Sequence, residues 1–268
     1  MLRHLTTMIK LLEYNTGNRA RAFSTMRGEG SSNYGGFNIT HYCGDTAGHV
    51  AACRSELCSY LGIDDSRLIL PRQTHGTRCL NIDDSFMQLP GDERSALLHG
   101  TDAVITALKG VCIGVSTADC IPVLLHDCKR SVVAAIHAGW RGSVAGIAAK
   151  CVKEMQSTYG CEGRDMRAVI APGISIDSFE VGDEVYEEFA AAGFPMERIA
   201  KRYPTADGGG KWHIDLWEAN SLALQQCGIE RESIEVAGIC TFKKHDDFFS
   251  ARRLGINSGR IFSGIMVV

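Results

Sequence analysis

Two apolar, largely β-branched runs lie close together near the middle of the chain, Ile121–Leu125 and Val132–Ile136, with the short polar turn His126–Ser131 between them. That pattern predicts a pair of buried strands joined as a hairpin. Cys120 stands just before the first run and His137 just after the second. In an antiparallel hairpin these are the two open ends, so a thiol and an imidazole can meet at one edge of a sheet. The tendency of apolar side chains to be buried does not explain an Asp-Cys and a His-Ala-Gly-Trp-Arg-Gly at such an edge. A thiol and an imidazole brought together serve mainly as a metal site or as a Cys/His nucleophile pair.

The rest of the pattern supplies neighbours for that hairpin. Residues 9–25 read as one early strand, and Arg27–Phe37, rich in glycine and serine, as a loop. Asp45 or Thr46 can cap a helix bearing Val50, Leu57 and Leu61 on one face, with Arg54 beside it. Arg67–Leu70 is a short strand that runs into Pro71–Gly76 and puts His75 at its end. Residues 81–100 read as a long loop with one short helix. Asp102–Thr106 and Val111–Ser116 read as a second strand pair turning at Lys109-Gly110. Val144, Ile147, Cys151, Val152 and Met155 recur at helical spacing and end near Gly160. The start of that helix, with Arg141, offers N–H groups to an anion such as phosphate. Further on, Arg167–Ala171 and Ile234–Ile239 are strands, and helices start near Gly182 and Asp215. Ala206–Lys211 is a loop tip and Ile261–Val268 an apolar final strand. The sum is a mixed α/β chain with many strands.

Charge and composition narrow the function classes. A net charge of -3 gives no general electrostatic reason to bind nucleic acid or an anionic membrane. No apolar run approaches the roughly 20 residues that span a bilayer. The eleven cysteines include no CxxC pair, and the first residues lack the pattern of an export signal. Reduced thiols in a cytoplasmic protein are therefore expected. Cys53, Cys151 and Cys227 fall on predicted helix faces as small core residues.

Phe23-Ser-Thr, Gln73-Thr-His-Gly76, Thr117-Ala-Asp-Cys120, His137-Ala-Gly-Trp-Arg-Gly142, Ala171-Pro-Gly173, Phe179-Glu-Val-Gly182 and Phe248-Phe-Ser250 with Arg252 together make a specific set. Their combination resembles the YfiH-like family, also called the laccase-domain or multicopper polyphenol oxidase family. The resemblance spans the chain from about Met8, so residues 8–268 are expected to be one domain and Met1–Thr7 a disordered extension. It implies a mixed, multi-stranded α/β/β/α sandwich. It implies a zinc site made of His75, Cys120 and His137. The activities it implies are phosphorolysis of adenosine, inosine, guanosine and methylthioadenosine, and deamination of adenosine. Other relatives remove a misplaced serine from a peptidoglycan precursor. Two positions depart from the family pattern: Met26 interrupts the usual Ser-Thr-Arg, and Ala251 replaces the usual Tyr before the double Arg.

Three protein ligands leave one position of a tetrahedral zinc open, as in a hydrolytic site. Zinc can activate water near neutral pH, which suits attack at purine C6. Asp119 is the nearest candidate for a proton shuttle; an equal alternative is that it orients backbone or a metal-bound His. For phosphorolysis, Arg54 and Arg141 are candidate phosphate cations and Asn38 a ribose or base contact. Gln73 either touches the ligand or fixes the loop that carries His75. A multicopper oxidase needs many His ligands, and the nine present include no HxH pair. Copper is the weaker expectation. A Cys120 nucleophile activated by His137, acting on an amide or thioester, is the metal-free rival. The expected partners are a purine nucleoside and phosphate, with the protein a monomer or homodimer.

Overall fold

The computed structural model describes residues 9–30, 32–205 and 208–268. The chain begins with β1 (Leu11–Tyr14), β2 (Ala20–Thr25), α1 (Ala47–Leu61) and a two-residue β3 (Leu68–Ile69). Then come β4 (Cys79–Asn81), α2 (Asp84–Gln88), α3 (Gly91–Leu98), β5 (Ala103–Thr106) and β6 (Cys112–Thr117). The central hairpin is β7 (Ile121–Asp127) and β8 (Val132–Ala138), followed by α4 (Trp140–Val144), α5 (Ile147–Tyr159) and β9 (Met166–Ile170). The last third holds β10 (Glu180–Val181), α6 (Asp183–Ala191), α7 (Met196–Ile199), β11 (Ala200–Pro204) and β12 (Gly210–Ile214). It closes with α8 (Leu216–Gln226), β13 (Ile234–Val236), α9 (Ala251–Leu254) and β14 (Ile261–Val267).

Two large sheets pack face to face. One has the order β1-β2-β14-β6-β3 and the other β13-β9-β7-β8-β5-β4; a small sheet, β10-β12-β11, stands beside them. The alternation of side chains along β8 shows the layering. Val132, Ala134, Ile136 and Ala138 pack with Cys151, Val152 and Met155 of α5 and Leu216, Ala219 and Leu224 of α8. Val133 and Ala135 face the other way, onto Ile113 and Val115 of β6 and Ile265 of β14. On the far face of that sheet, Cys112, Phe262 and Met266 meet Cys53 and Leu57 of α1. The four layers are therefore helix, sheet, sheet, helix, the expected sandwich. Strands buried on both faces need unbroken apolar runs, which is why the hairpin was so plain in the sequence. Each fully buried Val or Leu contributes about 1.5–3 kcal/mol.

The hairpin has the expected register, with Val123 opposite Ile136 and Ile121 opposite Ala138. Thr46 caps α1 through His49 N–H, and Asp215 caps α8 through Glu218 N–H. Other expectations are corrected. β5 and β6 do not pair: β5 lies between β8 and β4, whereas β6 lies between β14 and β3 in the facing sheet. Lys109-Gly110 therefore belongs to a connection between sheets. Two adjacent runs buried on both faces look the same whether they pair or stack. Residues 9–25 form two strands paired with each other, not one. Residues 81–100 hold two helices, the first capped by Asp83 through Phe86 N–H at 2.9 Å. The helix expected over Val144–Met155 is broken at Gly146, whose φ of +74° separates α4 from α5.

Of the Ala206–Lys211 tip, Ala206 and Asp207 lie outside the described residues, and Gly210 and Lys211 already begin β12. The extension Met1–Thr7 also lies outside them. All eleven cysteines are free thiols. Cys53 and Cys151 are buried as expected, and Cys227 is half-buried at the end of α8. Among the described residues no helix is long and apolar enough to cross a membrane.

Candidate metal centre

Two connections between the large sheets cross at the open end of the hairpin. The first runs from β3 to β4 and carries His75. The second runs from β6 to β7 through Ala118, Asp119 and Cys120. The end of β8 brings His137 to the same place. The ligand atoms of His75, Cys120 and His137 all lie within 4.8 Å of one another, with His75 exposed, Cys120 half-buried and His137 buried. Cys120 Sγ is 3.8 Å from His75 Nε2. The two imidazoles meet edge to face, their centroids 4.9 Å apart.

Asp102, which the sequence reading passed over as the start of a strand, is the hub of this arrangement. It is fully buried and stands beside His137 on the neighbouring strand, where its carbonyl accepts His137 N–H at 2.8 Å. Its carboxylate oxygen Oδ1 is 2.8 Å from His137 Nδ1. The same carboxylate accepts the N–H groups of Thr74, His75 and Gly76 at 3.2, 2.9 and 2.9 Å. This nest holds the turn that gives His75 a left-handed φ of +62°. One buried side chain thus orients one imidazole directly and the other through its backbone. Burial alone would raise the Asp102 carboxyl, but the hydrogen bond and charge of His137 and the N–H groups hold it below its ordinary value.

Cys120 and His137 each shift the other toward its charged form. Burial by itself would raise the Cys120 thiol, yet His137 and His75 bring it down to about 6. Burial by itself would lower His137, yet the Cys120 thiolate and Asp102 lift it to about 9. Without metal, thiolate and imidazolium are the favoured partners near neutrality. Gly139 leaves room for all three: a Cβ there would lie 3.1 Å from both Cys120 Sγ and His75 Cδ2. One soft thiolate and two imidazoles, the second fixed at Nδ1 so that Nε2 faces the cluster, suit zinc. Among the described residues this is the one such group of ligands.

The other expected site residues are placed as follows. Asp119, next to Cys120, has a φ of +89°. Its carboxylate accepts Thr241 Oγ1–H and Arg252 N–H, both at 2.7 Å, so it braces the loops that follow β13. The carboxylate that faces His137 is Asp102, not Asp119. Gln73 pairs with both backbone groups of Ser116 on β6, donating to its carbonyl at 2.6 Å and accepting its N–H at 3.2 Å. It fixes the His75 loop. Asn38 is corrected: it is fully enclosed, donates to Asp45 and Cys43, and accepts the N–H groups of Thr40 and Arg260. No capacity is left for a ribose or base. Arg54 is ion-paired with Asp65 at 2.9 Å and lines a cavity that contains none of the three ligands. Arg141 is exposed in α4, its guanidinium 4.1 Å above the Trp140 ring.

The chain is similar to known proteins over most of its length. The family model described as multi-copper polyphenol oxidoreductase laccase matches residues 21–268. A protein of Bacteroides thetaiotaomicron named purine nucleoside phosphorylase is 47% identical over 247 residues, covering 91% of this chain and 90% of that one. A protein from an unknown prokaryotic organism named adenosine deaminase RL5 is 46% identical over 246 residues, covering 91% and 92%. The crystal structure of the YfiH protein of Bacillus licheniformis superposes with a TM-score of 0.84 at 30% identity, covering 93% of each chain. That of YlmD from Geobacillus stearothermophilus gives 0.83 at 27% identity over 92% of each. With its sandwich, its two crossing connections and its His/Cys/His cluster, this chain belongs to the laccase-domain, YfiH-like family.

Proposed function

We propose that the protein is a purine nucleoside enzyme, cleaving adenosine, inosine, guanosine and methylthioadenosine with phosphate and deaminating adenosine, with zinc held by His75, Cys120 and His137. The observation that carries this reading is the convergence of those three ligand atoms within 4.8 Å, in a chain nearly half identical to proteins named for these two activities. Zinc at this site would supply Lewis acidity beside the substrate. The chain itself does the rest. Asp102 keeps the proton on Nδ1 of His137 and so presents Nε2 as a ligand. Cys120 is available as thiolate. Gly139 keeps the space in front of both open. Asp119 and Gln73 hold the two connections that carry Cys120 and His75. Arg141, two residues beyond Gly139, is the cation assigned to phosphate.

In phosphorolysis the C1′–N9 bond breaks, a phosphate oxygen bonds to C1′, and the purine leaves with a proton. In deamination water replaces the amino group at C6 and ammonia leaves. The triad offers ligands for one ion, whereas a multicopper oxidase needs several copper sites. The lowered Cys120 and raised His137 favour a second reading, a Cys/His nucleophile acting on an amide of a cell-wall precursor. Metal-quantified protein incubated with adenosine, with and without phosphate, decides among them. Adenine with ribose 1-phosphate, or inosine, supports the nucleoside reading; neither product, with full activity on an amide in zinc-free protein, would overturn it.

A further inference from the structure

A cavity of about 640 Å³ opens between α1 and α3, over the edge strand β3, and shares no residue with the His/Cys/His cluster. Its size lies within the range of small-molecule sites, about 300–1,000 Å³. The floor is apolar, formed by Val50, Leu68, Ile69, Leu70, Phe86 and Leu98. The rim is cationic: Arg54, Arg72 and Arg94 line it, with His41 and His99, against the single carboxylate of Asp65.

That carboxylate is already engaged by Arg54. Among the described residues, Arg72 and Arg94 have no carboxylate within salt-bridge distance. Arg72 lies over the Tyr42 ring at 5.9 Å, and Arg94 reaches only the Ser66 carbonyl at 3.4 Å. The backbone fixes where Arg72 stands, because Arg72 N–H donates to Leu98 O and Gly100 N–H to Arg72 O. His41 reports the local field: burial lowers its pKa first, and the charges of Arg54 and Arg72 lower it further. Two unpaired guanidiniums beside an apolar floor favour a ligand that is anionic at one end and flat and apolar at the other.

We propose that this cavity is a second ligand site, separate from the metal cluster, for a phosphomonoester bearing a planar apolar group, of the size of a nucleoside monophosphate. The guanidiniums of Arg72 and Arg94 take the phosphate and the floor between α1 and α3 takes the planar group.

The test is calorimetric titration of the zinc-loaded protein with adenosine 5′-monophosphate, inorganic phosphate and adenosine as separate probes, repeated on the Arg72→Ala/Arg94→Ala double variant. Adenosine 5′-monophosphate is expected to bind more tightly than inorganic phosphate. The double variant should raise its Kd at least tenfold and leave adenosine unaffected, and added salt should weaken binding in the wild type. Should the double variant fail to fold, Arg94→Gln alone, a half-buried position of α3 on the cavity rim, is expected to raise the Kd about threefold. No binding of the monophosphate, a Kd indifferent to the arginines, or inorganic phosphate binding as tightly as the monophosphate would each overturn the proposal.

Discussion

His137 and His75 belong to one cluster but are held in opposite ways. His137 sits on a central strand, is 3% exposed, and has its ring fixed by a buried carboxylate. His75 is exposed, sits in a left-handed turn, and is held through backbone N–H groups rather than through its ring. The fold itself places the first ligand. Two side chains place the second, Asp102 through the backbone of its turn and Gln73 through the loop that carries it. A site of this kind combines a rigid half with a half that can adjust as metal or substrate arrives, and both halves depend on the same carboxylate.

The strongest way to break this contrast is at its shared element. Asp102→Asn leaves one side-chain acceptor for four donors and removes the charge facing His137. It should cost about 3 kcal/mol, lowering Tm by about 6–12 °C, and zinc content should fall with it. A variant with unchanged Tm and full zinc would show that Asp102 is no hub. The next test separates the two halves in metal-stripped protein. His137→Ala should destabilise by about 2–3 kcal/mol because Asp102 and the Cys120 thiolate lose a buried partner, while His75→Ala should change stability by no more than about 0.5 kcal/mol. Both should lose zinc. Equal losses of stability in denaturant unfolding would erase the distinction.

A smaller effect is expected at Gly139. Its φ of -66° suits any residue, so Gly139→Ala strains no backbone. The new Cβ presses on Cys120 Sγ and His75 Cδ2, and the adjustable half must yield. Zinc affinity should fall about tenfold, worth about 1.4 kcal/mol, with little change in metal-free stability. An unaltered affinity in chelator competition would place His75 further from Gly139 than described.

The smallest effect concerns protons. Metal-stripped Cys120 should be alkylated at a rate that falls as pH drops through about 6, because its pKa is depressed and thiolate persists above that value. In His137→Ala the midpoint should move up toward that of an ordinary thiol, near about 8.5. Between about 6 and about 9 zinc must displace a proton from His137 but none from Cys120, so this pair releases one proton on binding. Buffers of different ionisation heat would reveal it in calorimetry.

The sequence disclosed the ligands better than their support. Cys120 and His137 were legible because they are polar residues where apolar runs stop, and a hairpin's register is local. His75 stood at the end of a short strand, but its arrival beside Cys120 depends on which sheet β4 joins. Asp102 was missed because its meaning lies in the β5–β8 register, and a lone Asp before a strand looks like ordinary turn chemistry. Arg54 and Asn38 were assigned by motif alone. Their partners follow from how the loops fold back: Asp65, Asp45 and Cys43 lie within eleven residues across irregular turns, and Arg260 comes from the far end of the chain.

The position of β14 has a consequence for how the protein is made. It lies between β2 and β6, pairing Ser263 with Ser24 on one side and with Val115 on the other. All the other strands leave the ribosome before it. Until it arrives, β2 and β6 present bare edges to one another across an empty slot, and nascent chains crowded on one message can pair there instead. The six-stranded sheet, complete once β13 has emerged, can form during translation, so the two faces of the sandwich mature at different times. Chaperone capture and aggregation should concentrate on chains stalled between Val236 and Ile261.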